Sequence, residues 1–198
     1  MEPAEPNLIR KMGLFESDFH TQVKNMGLIN ATSLLVASQI DLFANLDLIN
    51  KSIRIWKRTQ PLLCSKVILK SDKNDKEKQN TGSYYFAYAD EDSIEKMNNV
   101  SYLYYKKPPN DSGGFETVED CKDLWNLLVE RELNIPINWQ NGLMWRLIFI
   151  STKRDHDAKS YEYRIIITLS HAIFDGTSRI SAIYDLFRIV EKMFVSFF

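Results

Sequence analysis

A mixed β-sheet with helices packed on it, an α/β (α+β) arrangement, is the fold class this sequence predicts, and three features predict it. Apolar residues recur at helical spacing between Asp41 and Gln60. Two apolar runs, Met144–Ile150 and Tyr161–Leu169, read as strands on either side of a polar stretch, and the period turns helical again after Gly176. No internal repeat is visible, so the alternation describes one sheet covered by helices rather than a solenoid.

The chain has 198 residues, 44% hydrophobic and 26% charged, which is the composition of a globular chain able to bury a core. With 25 basic against 26 acidic residues and a formal net charge of -1, no excess of positive charge draws it to nucleic acid or anionic lipid. Cys64 and Cys121 stand far apart without C-x-x-C spacing, so neither a disulfide framework nor a zinc knuckle is suggested. The opening residues are acidic and proline-bearing and lack the apolar core of a secretion signal. No apolar run reaches membrane-spanning length, so a cytoplasmic protein with no membrane span is expected. On that expectation the sequons at Asn30, Asn50, Asn99 and Asn110 are chance matches.

Residues 1–27 read as an irregular N-terminal segment, and residues 28–198 as one folded unit. Leu28–Ser38 is a β-prone first strand. Asp41 starts a helix whose stripe of Leu42, Leu46, Ile49, Ile53 and Trp56 should lie on the sheet, and Gln60-Pro61 ends it. Leu62–Leu69 follows as a short strand, Lys70–Asn80 as a charged loop, and Ser83–Ala89 as an aromatic strand; from there to Phe115 the composition favours turns. Thr117, with Asp120 three positions on, can cap a second helix bearing Cys121, Leu124, Trp125 and Leu128, which Pro136 stops. The strand pair at 144–150 and 161–169 should be antiparallel, joined by the long loop Ser151–Ser160. In the last helix Ile180, Ile183, Tyr184, Phe187, Val190 and Phe194 fall on one face.

Chemistry concentrates at the junction before that helix. The apolar run from Ile165 stops at His171, and Asp175 and Gly176 follow four and five positions on. A strand end can hold an imidazole as a fixed base, and Asp175 can face back into the body or cap the helix. A metal at His171 and Asp175 would lack further His or Cys ligands nearby, so no metal site is expected. There is no G-x-S-x-G nucleophile pattern, and His20 and His156 lie in polar segments. The aromatic clusters Tyr84–Tyr88 and Tyr102–Tyr105 have no basic groove beside them, which favours strand packing over base stacking. Trp56, Trp125, Trp139 and Trp145 read as packing residues.

The stretch Ser170–Ser178, SHAIFDGTS, resembles the H-x-x-x-D-G signature of the coenzyme A-dependent acyltransferase superfamily, which includes chloramphenicol acetyltransferase, BAHD and alcohol acetyltransferases and peptide-synthetase condensation domains. Trp56–Leu63 and Gly142–Arg146 are similar to the helix end and strand entry of that group, in the same order. The resemblance implies a chloramphenicol acetyltransferase-like N-terminal lobe without the second lobe that completes the channel. It further implies transfer of an acyl group from a CoA-type thioester to a small alcohol or amine, with acyl-CoA as co-substrate and no permanently bound cofactor; it designates no cofactor-binding residues. His171 would be the general base, Asp175 would orient the site through an ion pair, and Gly176 would leave room beside the histidine. Ser170 stands where condensation domains carry an additional histidine. Cys64 falls where several relatives place the arginine that pairs with the aspartate, which leaves Arg146 as the expected substitute. Lacking half the channel, the lobe alone is expected to bind little, and a non-catalytic remnant or interaction module is the alternative.

Overall fold

The computed structural model describes residues 7–26, 29–71, 82–89, 99–105, 122–139, 143–152 and 160–196. Strand β1 (Leu8–Lys11) leads into helix α1 (Leu14–Met26), followed by β2 (Ile29–Ser38) and α2 (Leu46–Thr59). Strands β3 (Ser65–Ser71), β4 (Gly82–Tyr88) and β5 (Val100–Tyr105) come next, then α3 (Lys122–Asn134), the pair β6 (Trp145–Thr152) and β7 (Tyr161–Ser170), and α4 (Gly176–Val195). Strands form two sheets, a smaller one ordered β1-β4-β3 and a larger one ordered β2-β7-β6-β5.

The larger sheet positions the candidate site. β7 lies inside it, antiparallel to β2 from Ile29 opposite Ser170 to Ser38 opposite Tyr161, and antiparallel to β6 from Trp145 opposite Leu169. β5 runs parallel to β6, a pairing that needs a long crossover, and α3 lies in that connection. Covered on both faces, β7 has no need to alternate, and every residue from Ile165 to Ser170 is buried. Its side chains still divide by parity. Ile165, Ile167 and Leu169 join Leu147, Phe149, Ile53, Trp56, Ala182 and Leu186 in the main core, whereas Ile166 meets Ile148, Ile150 and Trp125 of α3 on the opposite face. Phe86 and Val67 of the smaller sheet belong to that same main core.

Two tryptophans fasten this core. The Trp56 indole N–H donates to the Ala182 carbonyl at 2.8 Å, and that of Trp145 to the Leu63 carbonyl at 2.7 Å. Their rings meet edge to face at 5.4 Å, so α2, α4 and β6 share one fixed joint. Asp41 does what its position suggests: its carboxylate accepts from the Phe43 and Ala44 amides and opens a 3-10 turn, Phe43–Asn45, that runs on into α2. The buried Tyr163 hydroxyl donates to the same carboxylate at 3.1 Å and accepts from the Leu42 amide at 2.9 Å, tying β7 to this turn, and burial pushes its phenol pKa up.

Several expectations are corrected. Within the segment expected to be irregular, residues 8–26 are largely regular: β1 joins the smaller sheet through β4, and α1 follows. Within the expected turns before Phe115, residues 100–105 form β5. Pro61–Cys64 is a 3-10 turn, so the strand expected from Leu62 begins at Ser65, and it runs on through Lys70 and Ser71, both expected in the charged loop. His20, expected in a polar segment, is 1% exposed. On α4, Ile183 and Phe194 are buried as expected, but Ile180 and Tyr184 are 67% and 63% exposed while Ala182 and Leu186 face inward. Small Ala182 is the residue that lets the Trp56 indole reach the helix backbone, which turns the helix away from its bulkier stripe. Residues 72–80, Thr117, Asp120, Cys121, Gly142 and His156 lie outside the described residues. No described helix is long and apolar enough to cross a membrane.

Candidate functional site

The strand-to-helix junction is built by Ser170. Its amide donates to the Met144 carbonyl at 2.9 Å, its carbonyl accepts from the Ile173 amide at 3.2 Å, and its hydroxyl accepts from the Ala172 amide at 3.3 Å. A buried serine thus closes the turn with its own side chain, while Ala172, Ile173 and Phe174 all bury beneath it. His171, the first residue of this turn, is left half-buried at the end of β7.

One face of the His171 ring stacks on Phe19 of α1, with ring centroids 4.0 Å apart and planes 19° from parallel. Nδ1 is buried and has no hydrogen-bond partner among the described residues. The residue as a whole is part-exposed, so the ring is not sealed from an incoming molecule. A base acting through Nε2 carries its own proton on Nδ1, where burial without an acceptor costs about 1–3 kcal/mol.

Asp175 faces solvent rather than the body. It is the N-cap of α4, with extended backbone (φ -76°, ψ -179°), and its Oδ1 accepts from the Ser178 amide at 2.7 Å and the Ser178 hydroxyl at 2.6 Å. The Ser178 hydroxyl, then the Ser178 amide, and with smaller effect the Thr177 amide and the charge of His171, hold its carboxyl below the usual carboxylate range. A Cβ placed on Gly176 would meet nothing within 4 Å, so no neighbouring atom requires a glycine at this exposed position.

The cation expected to serve Asp175 is elsewhere. Arg146, on the α3 face of β6, gives its Nε to the buried Glu132 carboxylate at 2.6 Å and its Nη2 to the carbonyls of Glu132 and Ile135 at 2.8 and 3.0 Å. It closes the C-terminal end of α3, where orphaned carbonyls need donors, and Thr168 adds its hydroxyl to the same carboxylate at 3.3 Å. Cys64, where the resemblance leads one to look for an arginine, is buried with its thiol pKa pushed up by burial. Sequence reasoning did not place Phe19 against the imidazole. The signal was a Gly13-x-x-Glu16 helix start ahead of an aromatic residue: the Gly13 amide donates to Glu16 at 2.7 Å, and Arg10 holds that carboxyl below its usual range. Among the described residues no three His, Cys, Asp or Glu side chains cluster as a metal site.

No family model matches the chain, and no curated protein does. Solved structures do. The tallysomycin biosynthesis protein TlmII superimposes with a TM-score of 0.64 at 12% identity, over 93% of this chain and 37% of its own length. The condensation domain from the monacolin K polyketide synthase MokA gives 0.63 at 9% identity, over 93% and 35%. The chain has the fold of a condensation-domain lobe. The starter condensation domain of the rhizomide synthetase RzmA agrees, with a TM-score of 0.60 at 10% identity over 91% of this chain and 37% of that one. This condensation-domain-like lobe thus spans little more than a third of the structures it matches, the extent expected of the N-terminal lobe.

Proposed function

We propose that this lobe carries the base of an acyl-transfer site. In this reading His171 Nε2 takes the proton of an alcohol or amine as the oxygen or nitrogen attacks a thioester carbonyl. The resulting tetrahedral intermediate expels the thiolate, which recovers a proton from the imidazolium, so the base returns to its starting form. The observation that carries the reading is a half-exposed imidazole at the end of a buried strand, with one nitrogen turned inward, on a condensation-domain-like fold. A mutant RzmA starter condensation domain has been crystallised with C8-CoA, and it matches this chain with a TM-score of 0.59 at 8% identity. That makes an acyl-CoA the donor to test first. Asp175 caps the helix that begins just after the base and so fixes the backbone on the far side of this turn. The donor for the oxyanion and the remaining walls of the acceptor pocket would come from a second lobe.

The test is release of free coenzyme A from octanoyl-CoA, with a panel of alcohols and amines, by the longest protein that carries this lobe. His171→Ala is expected to abolish transfer while the circular dichroism spectrum is retained; unchanged turnover removes the assignment. Asp175 committed to its cap and Nδ1 without an acceptor favour a second reading, a non-catalytic module that keeps the lobe's fold. That reading predicts no transfer even with a complete protein. For residues 1–198 alone, calorimetric titration with octanoyl-CoA is expected to show no saturable binding.

A further inference from the structure

An imidazole that serves as a base has to be held, and a hydrogen bond to the nitrogen that does not react ordinarily does it. Here that nitrogen has no partner among the described residues, the Asp175 Oδ1 is engaged by Ser178, and Arg146 is engaged by Glu132. What does touch the ring is Phe19. A centroid separation of 4.0 Å at 19° is close and nearly parallel, tighter than the usual range of about 4.5–7 Å for aromatic pairs, so the phenyl and imidazole faces are in direct stacking contact.

Phe19 is itself well anchored. The next residue, His20, is buried between the edges of Tyr84 of β4 and Trp139, at 4.6 and 4.7 Å. Neighbouring helix positions diverge by about 100°, so seating His20 in the body fixes the direction in which Phe19 projects. The start of the helix is fixed as well: the Met12 amide donates to the Tyr84 carbonyl at 2.9 Å, and the Arg10 guanidinium bonds Glu16 at 2.6 Å. Phe19 is thus a stationary wall and not a loop residue resting on the histidine.

We propose that Phe19 is a positioning residue for His171, fixing the plane of the imidazole by stacking where no hydrogen bond does so. The role in turnover rests on the acyl-transfer reading; the stacking itself does not. While the imidazole is neutral, the phenyl face restrains its rotation. Once it has taken the substrate's proton, the negative face of the phenyl ring attracts the positive ring, giving an aromatic residue part of the task a carboxylate performs in a His–Asp pair. An arrangement of this kind lets Asp175 serve α4 as its cap without releasing the imidazole.

The first experiment needs no variant. Proton NMR of the protein with His171 assigned is expected to show the imidazole ring protons shifted upfield by the phenyl ring current, with cross-relaxation to Phe19; their absence in the folded protein overturns the proposal. The second compares Phe19→Leu with Phe19→Tyr by diethyl pyrocarbonate labelling, with peptide mass spectrometry separating His171 from His20 and His156. Leucine is expected to raise the His171 labelling rate roughly two- to ten-fold, the equivalent of one aromatic contact, and tyrosine to restore the native rate. Equal rates in all three proteins overturn it. In a protein that transfers acyl groups, Phe19→Leu should lower kcat by a similar factor with KM unchanged, and a change confined to KM would refute the positioning role. Should His171→Ala leave transfer intact, the acyl-transfer reading fails, whereas the spectral and labelling results judge the stacking independently.

Discussion

Arg146 and Arg10 are both paired with glutamates, yet burial separates their value. Glu132 has a side chain 5% exposed and Arg146 one that is 21% exposed, whereas Arg10 and Glu16 are 46% and 28% exposed. Arg146→Ala leaves a buried carboxylate whose remaining partner among the described residues is a threonine hydroxyl and is expected to cost about 3 kcal/mol, whereas Arg10→Ala should cost less than about 1 kcal/mol; urea denaturation measures both. Asp175 makes a pH-dependent contribution of known sign. Its folded pKa is depressed, so its stabilisation of α4 is present above the ordinary carboxylate value and is lost as pH falls through the folded value. Asp175→Asn keeps a capping oxygen without the charge. Its melting temperature should lie below that of the native protein at neutral pH, and the gap should narrow as pH falls below the ordinary carboxylate value, as calorimetry can show. His171 and the residues after it were legible in sequence because a strand end, a turn and a helix cap are local. The partners of Arg146 and His171 were not, since α3 and α1 reach them only through the fold.

At the scale of elements, the readable ones combined a period with a firm boundary. α2 has its apolar stripe, Asp41 before it and Pro61 after it, and the β6–β7 hairpin has two apolar runs around polar chain. α1 offered no such stripe: Leu14 and Phe15 are each 77% exposed, and its attachment depends on Phe19 and His20 instead. β5 hid among turn-forming residues because its pairing to β6 is parallel and distant, so no hairpin signal marks it. The face of α4 was set by which residue lets Trp56 approach, a tertiary demand that periodicity does not encode. The corrected face has a measurable consequence. Ile166→Ala, between the sheet and α3, should cost about 2–5 kcal/mol, whereas Ile180→Ala should change stability by no more than about 0.5 kcal/mol. Equal losses in chemical denaturation would contradict the observed helix rotation.

The whole molecule is held by one dominant core that takes Phe86 and Val67 from the smaller sheet together with Ile165, Trp145 and Trp56 around the larger. Loss of either sheet therefore exposes the other's apolar face, and unfolding should be a single transition. Far-ultraviolet circular dichroism and tryptophan fluorescence are expected to give coincident midpoints, and separated midpoints would show two independently stable halves. The lobe-like fold was legible through one short signature and collinear flanking segments, because that signature sits where the chain passes from the innermost strand to the final helix.

The order of β2 and β7 also governs how the protein is born. β2 is an uncharged ten-residue strand, and the sheet neighbour that it needs is specified near the far end of the described chain. During synthesis it emerges early and waits, sticky and unpaired, until the ribosome has delivered residue 161 and those after it. Until β7 arrives β2 is open to mispairing, so translation in a chaperone-free extract is expected to yield more insoluble product than translation with chaperones added.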